Sequence, residues 1–168
     1  MRRDHEASYV EFVTARRDHL RRTAFALCGD WHRADDLLQT ALVKLYLAWP
    51  RVRRSGAEEV YVRTILVRAS IDESRRPWRR ERPSETVPDV PAAAPFPVEE
   101  RSALLDALHA LPPQQRVAVV LRHWVGLSVA ETAKEMRVSE GTVKSNTSRG
   151  LAALRASWEP TDAGRSER

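Results

Sequence analysis

The sequence predicts an all-α protein, two small helical domains joined by a proline-rich linker. Apolar residues recur at i, i+3, i+4 and i+7 through much of the chain, and no segment shows strand-like alternation. Half of the ten prolines fall within residues 83–97, where missing backbone donors and fixed φ exclude a regular helix. Such exposed Pro-rich stretches are where domain boundaries fall. The expected domains are residues 8–80 and 99–158, with a semi-extended linker over 81–98.

The first helix is expected over residues 8–28, where Phe12, Val13, Leu20, Ala24, Leu27 and Cys28 are spaced as on one face. Gly29-Asp30 ends it, and Asp30 can cap the next helix. That second helix is the most regular: Ala34, Leu37, Leu38, Ala41, Leu42, Leu45, Ala48 and Trp49 form its stripe, and Pro50 is expected to stop it. A loop over 50–57 then leads to a third helix from Glu58 to Arg75, ended before Pro77.

Beyond the linker, Leu104, Leu108 and Leu111 mark a helix closed by Pro112-Pro113. Proline suits the first turn of a new helix. That helix is expected to bury Val117, Val120, Leu121 and Trp124 before Gly126 breaks it. Ser128 and Glu131 have the spacing of a capping box, which opens a short helix ending at Met136. Ser139 then caps a last helix to Trp158, buried through Val143, Leu151 and Leu154. Residues 1–7 and 159–168 are expected to be disordered, and neither end to carry a further regulatory domain.

Composition narrows the function classes. No apolar run is long enough to span a membrane, and no apolar stretch follows the charged N-terminus as a signal peptide requires. A cytoplasmic, nucleoid-associated protein with no membrane partner is expected. Cys28 is the single cysteine, which excludes an internal disulfide and a cysteine zinc site, and is read as a core residue. The five histidines are scattered without ligand spacing, so neither a metal nor a cofactor is expected. No paired carboxylates, Ser/His/Asp grouping or phosphate-binding glycine loop marks an enzyme, and no catalytic residue is assigned. The net charge is +5, and residues 51–82 alone hold ten arginines against five acids. That local excess points to a polyanionic partner.

Residues 127–149 have the form of a helix-turn-helix. Ala133 is small where two helices cross, Val138 plugs the turn, and Val143 packs the second helix onto the first. With those positions inward, Glu140, Thr142, Lys144, Ser145, Asn146, Ser148 and Arg149 face outward behind the Ser139 cap. A helix so presented enters the major groove with its N-terminal residues against base edges. Lys144 and Arg149 suit phosphates, Thr142, Ser145 and Asn146 can reach bases, and the N–H groups beside Ser139 can meet a phosphate.

On these residues the chain resembles the extracytoplasmic-function (ECF) group of bacterial sigma-70 family initiation factors. Leu111-Pro112-Pro113-Gln114-Gln115-Arg116, Gly126 to Ala133, Gly141-Thr142-Val143-Lys144-Ser145 and Ser148-Arg149-Gly150-Leu151 look like region 4 of that family. Ala34-Asp35-Asp36-Leu37-Leu38-Gln39 and Tyr46-Leu47-Ala48-Trp49 look like region 2.2, and Tyr61 to Val67 like the start of region 2.4. Three positions depart from the common pattern: Arg68 where Asn is frequent, Thr40 where an acid is, and Asn146 where Arg or Gln is.

The resemblance implies a region 2 bundle, a region 4 helix-turn-helix and a role in promoter recognition and melting, in the setting of a stress or envelope response. It implies reading of the −35 element by Ser139, Glu140, Thr142, Lys144, Ser145, Asn146, Ser148 and Arg149. For the −10 element it implies Arg51, Arg53, Arg54, Arg63, Arg68, Arg75 and Arg76, with the loop between Trp49 and Glu58 receiving an unstacked base. Trp49 and Trp78 are read as core or boundary residues before base-stacking ones. Asp35, Asp36, Gln39 and Thr40 are the residues implied to dock on core RNA polymerase, at the clamp coiled coil of its largest subunit. The flap of the second-largest subunit, promoter DNA and an anti-sigma factor complete the implied partners. An autonomous helix-turn-helix regulator would share the C-terminal features, but leaves the arginine-rich third helix and the region 2.2-like run unexplained.

Overall fold

The computed structural model describes residues 2–74 and 98–158. Seven α-helices and no strand occur among the described residues, as the apolar periodicity predicts. The chain divides into two compact units, Met1–Val90 and Pro91–Arg168. The expected linker lies outside the described residues except for Val98, which already opens a helix.

The first unit is a three-helix bundle of α1 (Arg2–Cys28), α2 (Trp31–Ser55) and α3 (Glu58–Ser74). Gly29, at φ 80°, ends α1, and Asp30 caps α2 by accepting from the N–H groups of His32 (2.8 Å) and Arg33 (3.2 Å). The reversal sets α1 antiparallel to α2, so Tyr9 Oη donates to the Leu42 carbonyl (2.8 Å) while Arg21 reaches Asp35. Leu20, Ala24, Leu27, Ala34, Leu38, Ala41, Leu45, Trp49, Val62, Leu66 and Val67 form the core. Cys28 is buried and its thiol donates to the Asp30 carbonyl. Trp49 is also interior, its Nε1 donating to Ser8 Oγ at 3.0 Å, which supports its reading as a core residue.

Two expectations for this unit are corrected. Residues 2–7 are helical rather than disordered, continuing α1 outward with every side chain exposed. Ser8 ties that segment down, since its hydroxyl donates to the His5 carbonyl and accepts from Trp49. Pro50 does not stop α2, which runs on to Ser55. A proline there removes one ladder bond, to the Tyr46 carbonyl, but both residues are exposed and water can serve that oxygen. The extension is held by buried Val52 and closed by Gly56 at φ 65°, whose N–H meets the Arg53 carbonyl at 3.1 Å. The expected loop over 50–57 is therefore only Gly56 and Ala57.

The second unit comprises α4 (Val98–Ala110), α5 (Pro113–Val119), α6 (Val129–Met136) and α7 (Glu140–Trp158). Pro113 starts α5 as expected, with the Arg116 N–H closing the first turn on the Pro112 carbonyl (3.0 Å). The helix passes into a π-helical turn, Val120–Val125, before Gly126 ends it at φ 85°. Val117 to Leu121 are all buried because α5 is packed by both α6 and α7. Trp124, expected on the buried face, is instead 53% exposed. A π turn holds more residues than the 3.6 of an α turn, which rotates position 124 away from the stripe that Val117 and Leu121 define.

Candidate nucleic-acid and polymerase interfaces

In the second unit the helix-turn-helix is built from its caps inward. Ser128 Oγ accepts from the Glu131 N–H (3.1 Å) and Glu131 Oε2 accepts from the Ser128 N–H (2.7 Å), a complete capping box on α6. Thr132 Oγ1 adds a bond to the Ser128 carbonyl (2.8 Å). Ala133 and Met136 are buried, and a three-residue turn, Arg137-Val138-Ser139, follows. Arg137 adopts the left-handed conformation, φ 58° and ψ 45°, and the Val138 N–H returns to the Ala133 carbonyl at 3.1 Å. Ser139 Oγ then accepts from the Thr142 N–H (3.1 Å) and lies 2.9 Å from Thr142 Oγ1, capping α7 as predicted.

Val143 is fully buried beneath this turn and anchors α7 from its first turns. Leu151 and Leu154, expected in the core, are only half-buried. The deeper contact is Gly150, where α7 comes against Val119 and Gln115 of α5. Sequence reasoning missed that position, although a glycine within a helical pattern is a recognisable sign of close backbone approach. With Val143 and Gly150 inward, Glu140, Thr142, Lys144, Ser145, Ser148 and Arg149 are exposed. Asn146 is half-buried rather than largely outward. The exposed set carries two cations, three hydroxyls and one carboxylate, a surface able to hydrogen-bond phosphates and base edges.

In the first unit, Asp36, Gln39 and Thr40 project from α2 into solvent. Asp35 does not share their freedom, since Arg21 donates to both its oxygens (2.6 and 3.1 Å) and holds its carboxyl below the usual range. Arg21 also lies over the Trp31 ring at 4.3 Å, and Trp31 stacks on Phe25, so the pair braces the α1–α2 junction. Along the same exposed side of α2 follow Val43 and Leu47, the latter 77% exposed. With Val43 one turn earlier, Leu47 makes a small apolar strip on an otherwise polar helix face. Leu47 lines an open groove of about 490 Å³ together with Lys44, Ala48, Pro50, Arg51 and Arg54 of α2 and Tyr61 of α3.

The predicted −10 arginines separate into three groups. Arg51, Arg53 and Arg54 are exposed on the last two turns of α2, and Arg68 is exposed on α3. Arg63 is only 8% exposed within the bundle, so its expected place on the nucleic-acid surface is corrected. Its position on α3 follows Val62, Leu66 and Val67 into the interior. Arg75 and Arg76 lie outside the described residues, as does Trp78.

Comparison with known proteins matches both units. The model of Sigma-70 region 2 covers residues 12–80, and that of Sigma-70, region 4 covers residues 101–154. The RNA polymerase sigma-E factor of Streptomyces avermitilis is 39% identical over 157 residues, 92% of this chain and 87% of the relative. The ECF RNA polymerase sigma factor ShbA of Streptomyces griseus subsp. griseus is 33% identical over 139 residues, 74% of this chain and 71% of that protein. Among solved structures, the sigma factor RpoE of Bartonella quintana, in complex with the anti-sigma factor NepR, shares the fold. It aligns at a TM-score of 0.72 and 23% identity, over 89% of this chain and 96% of that one.

Proposed function

The chain belongs to the extracytoplasmic-function group of the sigma-70 family of RNA polymerase sigma factors, and from that membership we infer how its residues serve transcription initiation. It binds core polymerase and directs promoter recognition and DNA melting. The observation that carries this reading is the pairing, in one chain, of a fully capped helix-turn-helix with a bundle whose α2 presents an exposed apolar and basic side.

The outward face of α7 reads the −35 element. Lys144 and Arg149 take phosphates, and Thr142, Ser145 and the half-buried Asn146 take base edges, with Ser139, Glu140 and Ser148 completing the contact surface. Arg51, Arg53, Arg54 and Arg68 attract the separated strands of the −10 element. The Tyr61 groove, rather than a loop over 50–57, is the open surface beside them. Asp36, Gln39 and Thr40, continued by Val43 and Leu47, dock on the clamp coiled coil of the polymerase largest subunit. The second unit engages the flap of the second-largest subunit. An anti-sigma factor is a further partner of this reading, in line with the capture of the Bartonella quintana sigma factor, which shares the fold, in complex with one. The factor works in the cytoplasm at the nucleoid, on a stress or envelope-response regulon. Among the described residues no helix is long and apolar enough to cross a membrane.

The test is co-purification of the full chain with core polymerase in gel filtration. A stable one-to-one complex is expected. Failure to co-migrate, combined with tight operator binding by the chain alone, would favour an autonomous regulator.

A further inference from the structure

We propose that Arg137, in the turn of the helix-turn-helix, is a phosphate-contacting residue of the DNA interface. The proposal rests on the −35 reading of α7 given above. Arg137 is the one non-glycine residue with positive φ among the described residues. The left-handed region disfavours side chains with a Cβ and is the usual place for glycine at a helix C-terminus. Nothing in the packing accounts for an arginine there. Its side chain is exposed, and neither a hydrogen bond nor an ion pair engages it among the described residues. The backbone alone does the capping, through the bond from the Arg137 N–H to the Ala133 carbonyl.

Position supplies what the packing does not. In a docked helix-turn-helix the first helix crosses the phosphate backbone and the second enters the groove. The turn joining them, here Arg137-Val138-Ser139, therefore lies at the groove's phosphate edge. The residue that follows is Glu140, a carboxylate carried into the same polyanionic surroundings. A guanidinium three residues before it offsets that repulsion and can bridge a phosphate in a bidentate manner. The left-handed backbone ends α6 in the usual way, so what calls for a role is the arginine placed there, and a cation at the groove edge is the role this surface offers.

A phosphate contact is independent of sequence, so any duplex reports it. The full chain and its Arg137→Gly, Arg137→Lys, Lys144→Ala and Arg149→Ala variants would be titrated onto a 30-base-pair DNA duplex across a range of salt. Arg137→Gly is expected to weaken binding about 3–10-fold at 0.1 M salt and to lower the slope of log K against log salt by about one. Arg137→Lys should keep the slope. A purely structural role would move the melting temperature and leave the slope alone, so an unchanged slope in Arg137→Gly overturns the proposal. If Lys144→Ala and Arg149→Ala lose slope while Arg137→Gly does not, the proposal falls and the −35 reading stands. If no variant alters the slope, both fall.

Discussion

Gly150 of α7 lies so close to Val119 of α5 that a Cβ added to it would stand 2.7 Å from Val119 Cγ2. The Gln115 carbonyl, one turn earlier on the same helix, would stand 3.4 Å away. A helix interior ordinarily gains about 1 kcal/mol from glycine to alanine. Here overpacking is expected to outweigh that gain, so Gly150→Ala destabilises by a net 1–2 kcal/mol, roughly. Urea denaturation of the single variant and of Gly150→Ala with Val119→Ala tests the pair. The double variant should recover part of the loss, because shortening residue 119 removes the nearest clash.

The Arg21–Asp35 pair makes stability depend on pH in one direction. Hydrogen bonding to Arg21 is the leading cause of the lowered Asp35 pKa, against the 3.8 of a free aspartate. Its stabilisation is complete above that unfolded value and is lost as pH falls through the lower folded one. Half the Asp35 side chain is exposed, so after solvent screening the contribution is no more than about 1 kcal/mol. Asp35→Asn should flatten the acid limb of a melting-temperature profile below about pH 4. An acid limb identical to that of the parent would show that the pair contributes nothing.

Lys144 and Arg149 are exposed on α7 and are read as phosphate contacts. Removing either side chain should weaken promoter use across many −35 sequences, by roughly 3–10-fold, and lower the salt slope. A selection of randomised −35 sequences with polymerase carrying each variant checks this. A change confined to one base position would reassign that residue to base reading.

On α2, Asp36 and Leu47 are exposed and carry little of the bundle's stability. Asp36→Arg and Leu47→Asp should each leave the melting temperature within about 2 °C of the parent, as surface changes do, while reducing affinity for core polymerase at least roughly tenfold. Equal affinity in both variants would move the docking surface elsewhere on the protein.

The capping box at Ser128 and Glu131, the three-residue turn, the Ser139 cap and buried Val143 were all legible in the sequence, because each depends on residues within one or two turns of itself. What was not legible depends on partners distant in the chain. Pro50 reads locally as a stop, but burial of Val52 in the bundle carries the helix past it. Trp124 reads as core until the π turn changes its phase. Arg63 counts as one more cation in a basic run, whereas its register on α3 turns it inward between Val62 and Leu66. Asp35 and Asp36 are indistinguishable as neighbours in the sequence, and only the approach of Arg21 from α1 commits one of them.

As a sigma factor, this chain gives core polymerase its promoter specificity. Core polymerase would be incubated with genomic DNA from the source organism, with and without the protein, and the 5′ ends of the RNA sequenced. The protein should produce discrete start sites that share two motifs at a fixed spacing upstream, and those starts should vanish without it. Identical, scattered 5′ ends in both reactions would show that the chain does not direct initiation.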